Sequence, residues 1–274
     1  MKFSHARQRF YQEINRPDEQ INLAKAALYI AQEQFLSLDP EEYLNALDEM
    51  AAEVLERLDE QRYPLKVIKI LNQYLFEDLG FEGNRSNYYD PNNSFLNQVI
   101  DRRTGIPITL SVVYLEITKL IDFPMVGIGM PGHFLVRPDF EGAGIYVDVF
   151  NQGEILFPED CQVKLTEVYG QQVKLRPQFL TPVTSRQILA RMLTNLKVIY
   201  MNTGEILKAV SAIERILLLF PEAQNERRDR GILYYQLERW TEARQDLEIY
   251  LKNQPQAQDA MIIRQLLSRM NADR

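Results

Sequence analysis

His133 and Asp148 are the residues of this chain whose types and spacing best suit chemistry. His133 is one of only two histidines and follows Pro131-Gly132, and Asp148 ends the apolar run Ile145-Tyr146-Val147. An imidazole oriented by a carboxylate can act as a general base, taking a proton from a nucleophile and later returning it. No thiol stands where it could serve as that nucleophile. The only cysteine, Cys161, comes after both residues and directly behind Glu159 and Asp160, whose negative charge opposes thiolate formation. Cys161 is therefore expected to be a small residue entering a strand. The hydroxyls nearest the start of the helix ahead of His133 are Thr109 and Ser111, with Thr104 just before it. Thr109 or Ser111 in the nucleophile's role would need the imidazole within hydrogen-bond reach and an oxyanion hole. The plainer alternative makes His133 a satisfied histidine after a glycine turn and Asp148 an ordinary strand-end carboxylate.

A second constellation precedes these residues. Residues 82–94, EGNRSNYYDPNNS, hold no apolar aliphatic side chain and are rich in turn formers, so an ordered polar loop is expected. Asn84, Tyr88, Asn93, Ser94 and Asn97 offer amides and hydroxyls, with Arg102-Arg103 nearby. With Asn151 they form a candidate ligand-binding set for a peptide or an anion. The alternative is that Asn and Asp simply build turns, with Asn93 or Ser94 capping the next helix. Two histidines and one cysteine without zinc-like spacing make a metal site unexpected, and no cofactor is expected.

The elements that must position these groups can be read from punctuation and period. Pro17-Asp18-Glu19 and Asp39-Pro40-Glu41-Glu42 place a proline and acids where helices start. In the second of these, Tyr43, Leu44, Leu47, Met50, Ala51, Val54, Leu55 and Leu58 form an apolar stripe. A third helix is expected from about Pro64 to Phe76, a short one around Phe95 to Ile100, and a long one from Pro107 to about Ile121. Strands follow at Met125 to Gly129, His133 to Arg137 and Ile145 to Phe150, with Gln162 to Leu165 and Gln172 to Leu175 expected to complete a small antiparallel sheet. Beyond Pro182 the chain reads as helical.

That last part repeats with a period of 34: Tyr200 matches Tyr234, Ala209 matches Ala243, Ile213 matches Leu247 and Pro221 matches Pro255. Small residues where paired helices cross and a proline closing each unit resemble tetratricopeptide repeats over about 190–255, with Ala257 to Met270 as a capping helix. Gly231 holds the small-residue position of the second unit, and Lys197 occupies it in the first.

Composition bounds the rest. A chain of 274 residues, 46% hydrophobic and 25% charged, is globular with room for about two domains. The net charge of -7 is concentrated in residues 39–60, where nine acids face Arg57 alone; a solvated helix face is expected there. No Lys/Arg run with interleaved aromatics appears, so nucleic acid is not an expected partner. The N-terminus lacks an apolar signal-like core, and no apolar run approaches a membrane span, so the cytoplasm is the expected location and no membrane association is expected.

The runs Leu75 to Phe81, Asn84, Tyr88-Tyr89-Asp90-Pro91, Asn93 to Leu96, Arg102 to Ser111, Pro131 to Val136 and Asp148 to Asn151 closely resemble bacterial SirB-type, invasion-regulator-like proteins. The resemblance implies an α+β chain: a helical N-terminal region (1–64), a transglutaminase-like, papain-type core with a small antiparallel sheet (65–182), and tetratricopeptide-like helical repeats (183–274). It also implies that His133 and Asp148 are the core's base and orienter. Counting back from Pro124, the nucleophile's place falls at about Pro107, which has no reactive group. The expected function is thus a catalytically degenerate protein that binds a peptide-like ligand in its cleft and a protein or peptide partner on its repeats. The alternative is a hydrolase or acyl transferase using Thr109 or Ser111 with His133 and Asp148. The sequence does not indicate an oligomeric state.

Overall fold

The computed structural model describes residues 4–140, 142–171 and 173–272, and groups them into two compact units, Met1–Met192 and Leu193–Arg274. The first holds α1 (His5–Ile14), α2 (Leu23–Gln32), α3 (Pro40–Arg57), α4 (Pro64–Asn72), α5 (Leu96–Arg102), α6 (Pro107–Leu120) and α7 (Pro158–Tyr169). Its four-stranded antiparallel sheet is β3 (Met125–Ile128), β4 (Leu135–Pro138), β5 (Tyr146–Asp148) and β6 (Glu154–Leu156), in that order. A two-residue parallel pair joins β1 (Glu82–Gly83) to β2 (Thr104–Gly105). The fold is α+β, as expected.

The centre of this unit is α6. Pro107 starts it at a position where the missing N–H costs nothing, and every residue from Pro107 to Thr118 is buried. A helix apolar on all sides must be enclosed on all sides: α2, α3 and α5 pack on one flank, and β3 and β4 on another. The hydroxyls inside it are satisfied locally, Ser111 Oγ donating to Pro107 O (2.7 Å) and Thr118 Oγ1 to Leu115 O (3.0 Å). On α3 the stripe buries Leu47, Ala51 and Val54, while Glu41, Glu42, Asp48, Glu49, Glu53 and Glu56 are exposed.

Three expectations need correction. Pro17 opens only a 3₁₀ turn, Asp18–Gln20, and α2 starts at Leu23 with Asn22 Oδ1 accepting Lys25 N. Residues 162–165 are helical, inside α7, and residues 173–175 form no strand; Gln172 lies outside the described residues. The fourth strand is β6 instead, pairing Val147 with Ile155 and Asp148 with Glu154. The helix wins at 158–169 because Pro158, Glu159 and Asp160 form a helix start, with the Asp160 carboxylate accepting Phe157 N at 2.9 Å. Cys161 therefore sits in the first turn of a helix, where its side chain joins the core of Ile128, Met130, Leu135 and Leu165.

α8 (Ser185–Thr203) crosses the boundary between the units. The second unit continues with α9 (Ile206–Leu219), α10 (Gln224–Gln236), α11 (Trp240–Asn253) and α12 (Ala260–Ala272), each packed on its neighbour from α9 onward. Gly231 is small because α11 passes close by: a Cβ there would lie 2.8 Å from Leu247. Lys197, one period earlier, is buried instead, and its Nζ meets Glu226 (2.8 Å) and Asp229 (2.6 Å) on α10.

Candidate functional site

His133 leaves the Pro131-Gly132 turn just before β4, its N–H donating to Met130 O (3.1 Å). Gly132 has φ +73°, and a Cβ there would meet Val168 of α7 at 2.2 Å, so the turn requires glycine on both counts. Arg191 of α8 donates to His133 O (2.8 Å) and to Met130 O (3.3 Å), tying the turn down from the other side.

The imidazole is 7% exposed and the Asp148 carboxylate not at all. Nε2 lies 2.9 Å from Asp148 Oδ1, close enough for strong attraction but off the axis of a directed N–H···O bond. The ring nitrogen in contact is Nε2. Asp148 has other partners. Asn151 N and Nδ2 donate to it, and Lys164 Nζ of α7 lies 3.2 Å from Oδ2 while also meeting Glu154 (2.9 Å). Burial pushes the Asp148 carboxyl up, and His133, Asn151 and Lys164 together outweigh it, holding the group below the usual carboxylate range.

The candidate nucleophiles are elsewhere. Pro107 begins α6 and carries no reactive group. Thr109 Oγ1 donates to Asn93 O (2.6 Å) and accepts Ile106 N (3.2 Å), and Ser111 Oγ is bound to Pro107 O. Neither hydroxyl is hydrogen-bonded to His133. Cys161 is fully buried, and its thiol is pushed up to about 12 by that burial first and by Asp160 and Asp148 next. At neutral pH it stays a thiol. Iodoacetamide is expected to leave the native protein unmodified over hours and to alkylate Cys161 promptly in urea, with mass spectrometry as the readout; rapid native alkylation would contradict its placement.

The polar loop divides into braces and surface. Asn84 Nδ2 donates to Asn93 Oδ1 (3.0 Å), Asn84 Oδ1 accepts Asn87 N (2.9 Å), and Asn93 Nδ2 donates to Asn87 O (2.8 Å). These two amides hold the loop from inside. Neither Asn93 nor Ser94 caps α5; the capping position is Phe95, and Asp90 caps the preceding 3₁₀ turn through Asn92 N. Ser94 is buried, with Oγ unpartnered. Asn97 turns to the Tyr43 hydroxyl on α3, and Arg102 pairs with Asp90 (3.1 Å). Of the expected ligand-binding set, Tyr88 and Asn151 reach the His133 surroundings. Tyr88 packs edge-on against Phe150 (6.1 Å), which packs edge-on against His133 (6.3 Å). Arg85 lies over Phe150 (5.1 Å) and bonds Asn151 Oδ1.

Lys164, Phe150 and Arg191 escaped the sequence reading. The signal for Lys164 was present: Cys161, Lys164, Leu165 and Val168 share one helical face, visible once 158–169 is read as a helix. Chemically, one buried carboxylate is shared by an imidazole and an ammonium, and neither candidate hydroxyl is hydrogen-bonded to that imidazole.

Residues 41–194 match the transglutaminase-like superfamily, and residues 196–268 match the tetratricopeptide repeat. A UPF0162 protein of Xylella fastidiosa is 36% identical, covering 90% of this chain and 89% of its own length. A UPF0162 protein of Vibrio cholerae is 31% identical over 72% of this chain and 73% of its own. Human F-box only protein 21 is 30% identical over 65% of this chain, a region that makes up 29% of that protein. With a transglutaminase-like superfamily match over more than half its length and full-length relatives above 30% identity, the chain belongs to the UPF0162 family, a transglutaminase-like domain followed by tetratricopeptide repeats.

Proposed function

We propose that the protein is a non-catalytic, SirB-type transglutaminase-like protein that binds a peptide-like ligand over the His133 turn and holds a protein partner on its helical repeats. One observation carries this reading: the base has no nucleophile, because the Thr109 and Ser111 hydroxyls are bound to backbone carbonyls and Pro107 stands at the start of α6. Losing the nucleophile of such a constellation removes about 10⁶ in rate. The binding half is supported by the surface above the pair. Tyr89 is 69% exposed and packs edge-on against Tyr88, while Arg85 covers Phe150; tyrosine and arginine are the residue types in which partner-binding energy concentrates.

Two measurements test the proposal. Wild type and His133→Ala are expected to hydrolyse p-nitrophenyl acetate at the same slow rate, and turnover that depends on His133 would overturn the non-catalytic half. A benzophenone side chain at position 89 of the full-length chain is expected to crosslink a peptide or protein in cells, and Tyr88→Ala to abolish the product. No crosslink, or one indifferent to Tyr88, would overturn the binding half.

A further inference from the structure

Glu116 is a carboxylate inside the enclosed helix α6, far in role from the His133 pair, and nothing above uses it. It is 7% exposed. Oε1 accepts Ala24 N at the start of α2 (3.3 Å), while Oε2 keeps contact with solvent and has no hydrogen-bond partner and no Lys or Arg within ion-pair distance among the described residues. The side chain lines a pocket of about 360 Å³, a size suited to a small molecule.

Two properties of the pocket restrict its occupant. Its walls are largely apolar, formed by Ile21, Leu115, Met125 and Ile188 among others. Its ionisable groups are Asp18, Glu19 and Glu116 against Lys119 alone. Asp18 is already engaged, accepting Ser185 N (2.9 Å) and Arg186 N (3.2 Å), and Glu19 and Lys119 are exposed. Glu116 is thus the buried group with unused capacity.

Burial chiefly, and Asp48 in addition, push the Glu116 carboxyl up, against the opposing pull of Lys119 and the Ala24 N–H. A buried carboxyl in that state lacks a counter-charge. An anion would meet net negative charge, and a pure hydrocarbon would leave Oε2 unpaired. We propose that this pocket binds a small primary amine with an apolar body, the ammonium donating to Glu116 Oε2 and the hydrocarbon lying against Ile21, Leu115 and Ile188. The inference does not depend on the His133 surface.

Isothermal titration of the full-length chain with 2-phenylethylamine, 2-phenylethanol and 3-phenylpropanoate separates the possibilities. Saturable binding of the amine is expected, with the alcohol weaker by about tenfold or more, as loss of a charge-assisted hydrogen bond implies, and no binding of the anion. Glu116→Gln keeps a carbonyl oxygen for Ala24 N and is expected to weaken the amine by about tenfold and erase its advantage over the alcohol. Lys119→Gln removes the exposed rim cation and is expected to tighten the amine about twofold. Absence of saturable amine binding at about 10 mM, equal affinity for amine and alcohol, or unchanged affinity in Glu116→Gln would each overturn the proposal. Should Glu116→Gln fail to fold, the ligand comparison on wild type and the sign of the Lys119→Gln effect decide it.

Discussion

Asp148→Ala is expected to destabilise the protein by about 3 kcal/mol, the lower end for removing one partner of a buried ionic group. The carboxylate is fully buried and faces His133, Lys164 and Asn151, so its loss removes a counter-charge from the Lys164 ammonium and a polar partner from His133 and Asn151. Lys164 retains Glu154 and is partly exposed, which limits the damage. Urea unfolding followed by circular dichroism measures the loss as a lowered midpoint at unchanged slope. His133→Ala is expected to cost less, because Asp148 keeps Lys164 and Asn151, and the double variant should fall short of the sum of the two singles. The effect has a defined pH signature. The folded carboxyl sits below its ordinary value of 3.8, so its stabilisation is fully present above that value and is lost as pH falls through the folded pKa. The gap between wild type and Asp148→Ala should therefore narrow as pH falls below about 4. A gap that persists undiminished at pH 2 would show that packing, not charge, carries the effect.

Lys197→Met is expected to cost about 3 kcal/mol in the stability of the helical repeats. The substitution keeps most of the side-chain volume and removes only the ammonium, leaving Glu226 and Asp229 facing each other on α10 without it. Asp229 keeps Arg228, whose NH1 in turn reaches Asp259, so part of the network survives. Adding Glu226→Gln to Lys197→Met should recover more than half of the loss, because the damage comes from an uncompensated, half-buried acid rather than a missing contact. Thermal unfolding monitored at 222 nm gives the comparison. If Lys197→Met is neutral, the buried pair is merely tolerated and the account given for this position fails.

Helices α3 to α6 were legible in the sequence, and so were β3 to β5, the first three strands of the four-stranded sheet. Proline and acids at Asp39-Pro40-Glu41-Glu42 marked α3, and the apolar run after Pro107 marked α6. The same start signal stood at Pro158-Glu159-Asp160, yet the alternation of Val163 and Leu165 favoured a strand there. A short apolar run is compatible with either period, and here the helix start ahead of it, held by Asp160 on Phe157 N, decides it. That misreading also hid Lys164, because as a strand residue it would not share a face with Cys161 and Val168. For the polar loop, composition foretold order but not direction. Asn84 and Asn93 turn inward because a loop without apolar side chains must satisfy its own backbone through its amides. The exposed surface falls to Arg85, Tyr88 and Tyr89.

By itself the sequence determined the α+β class, the 34-residue helical repeat, the solvated acidic face of α3 and the lack of a thiol ahead of His133. These depend on residue type and spacing along the chain, which local sterics and burial period read directly. The tertiary structure alone decided that Nε2 faces Asp148, that Lys164 shares that carboxylate, that Thr109 and Ser111 spend their hydroxyls on carbonyls, and that Glu116 is left with an unpaired oxygen beside a pocket. Most of these are competitions among several partners for one polar atom, and their outcomes depend on distances set only when the elements pack together.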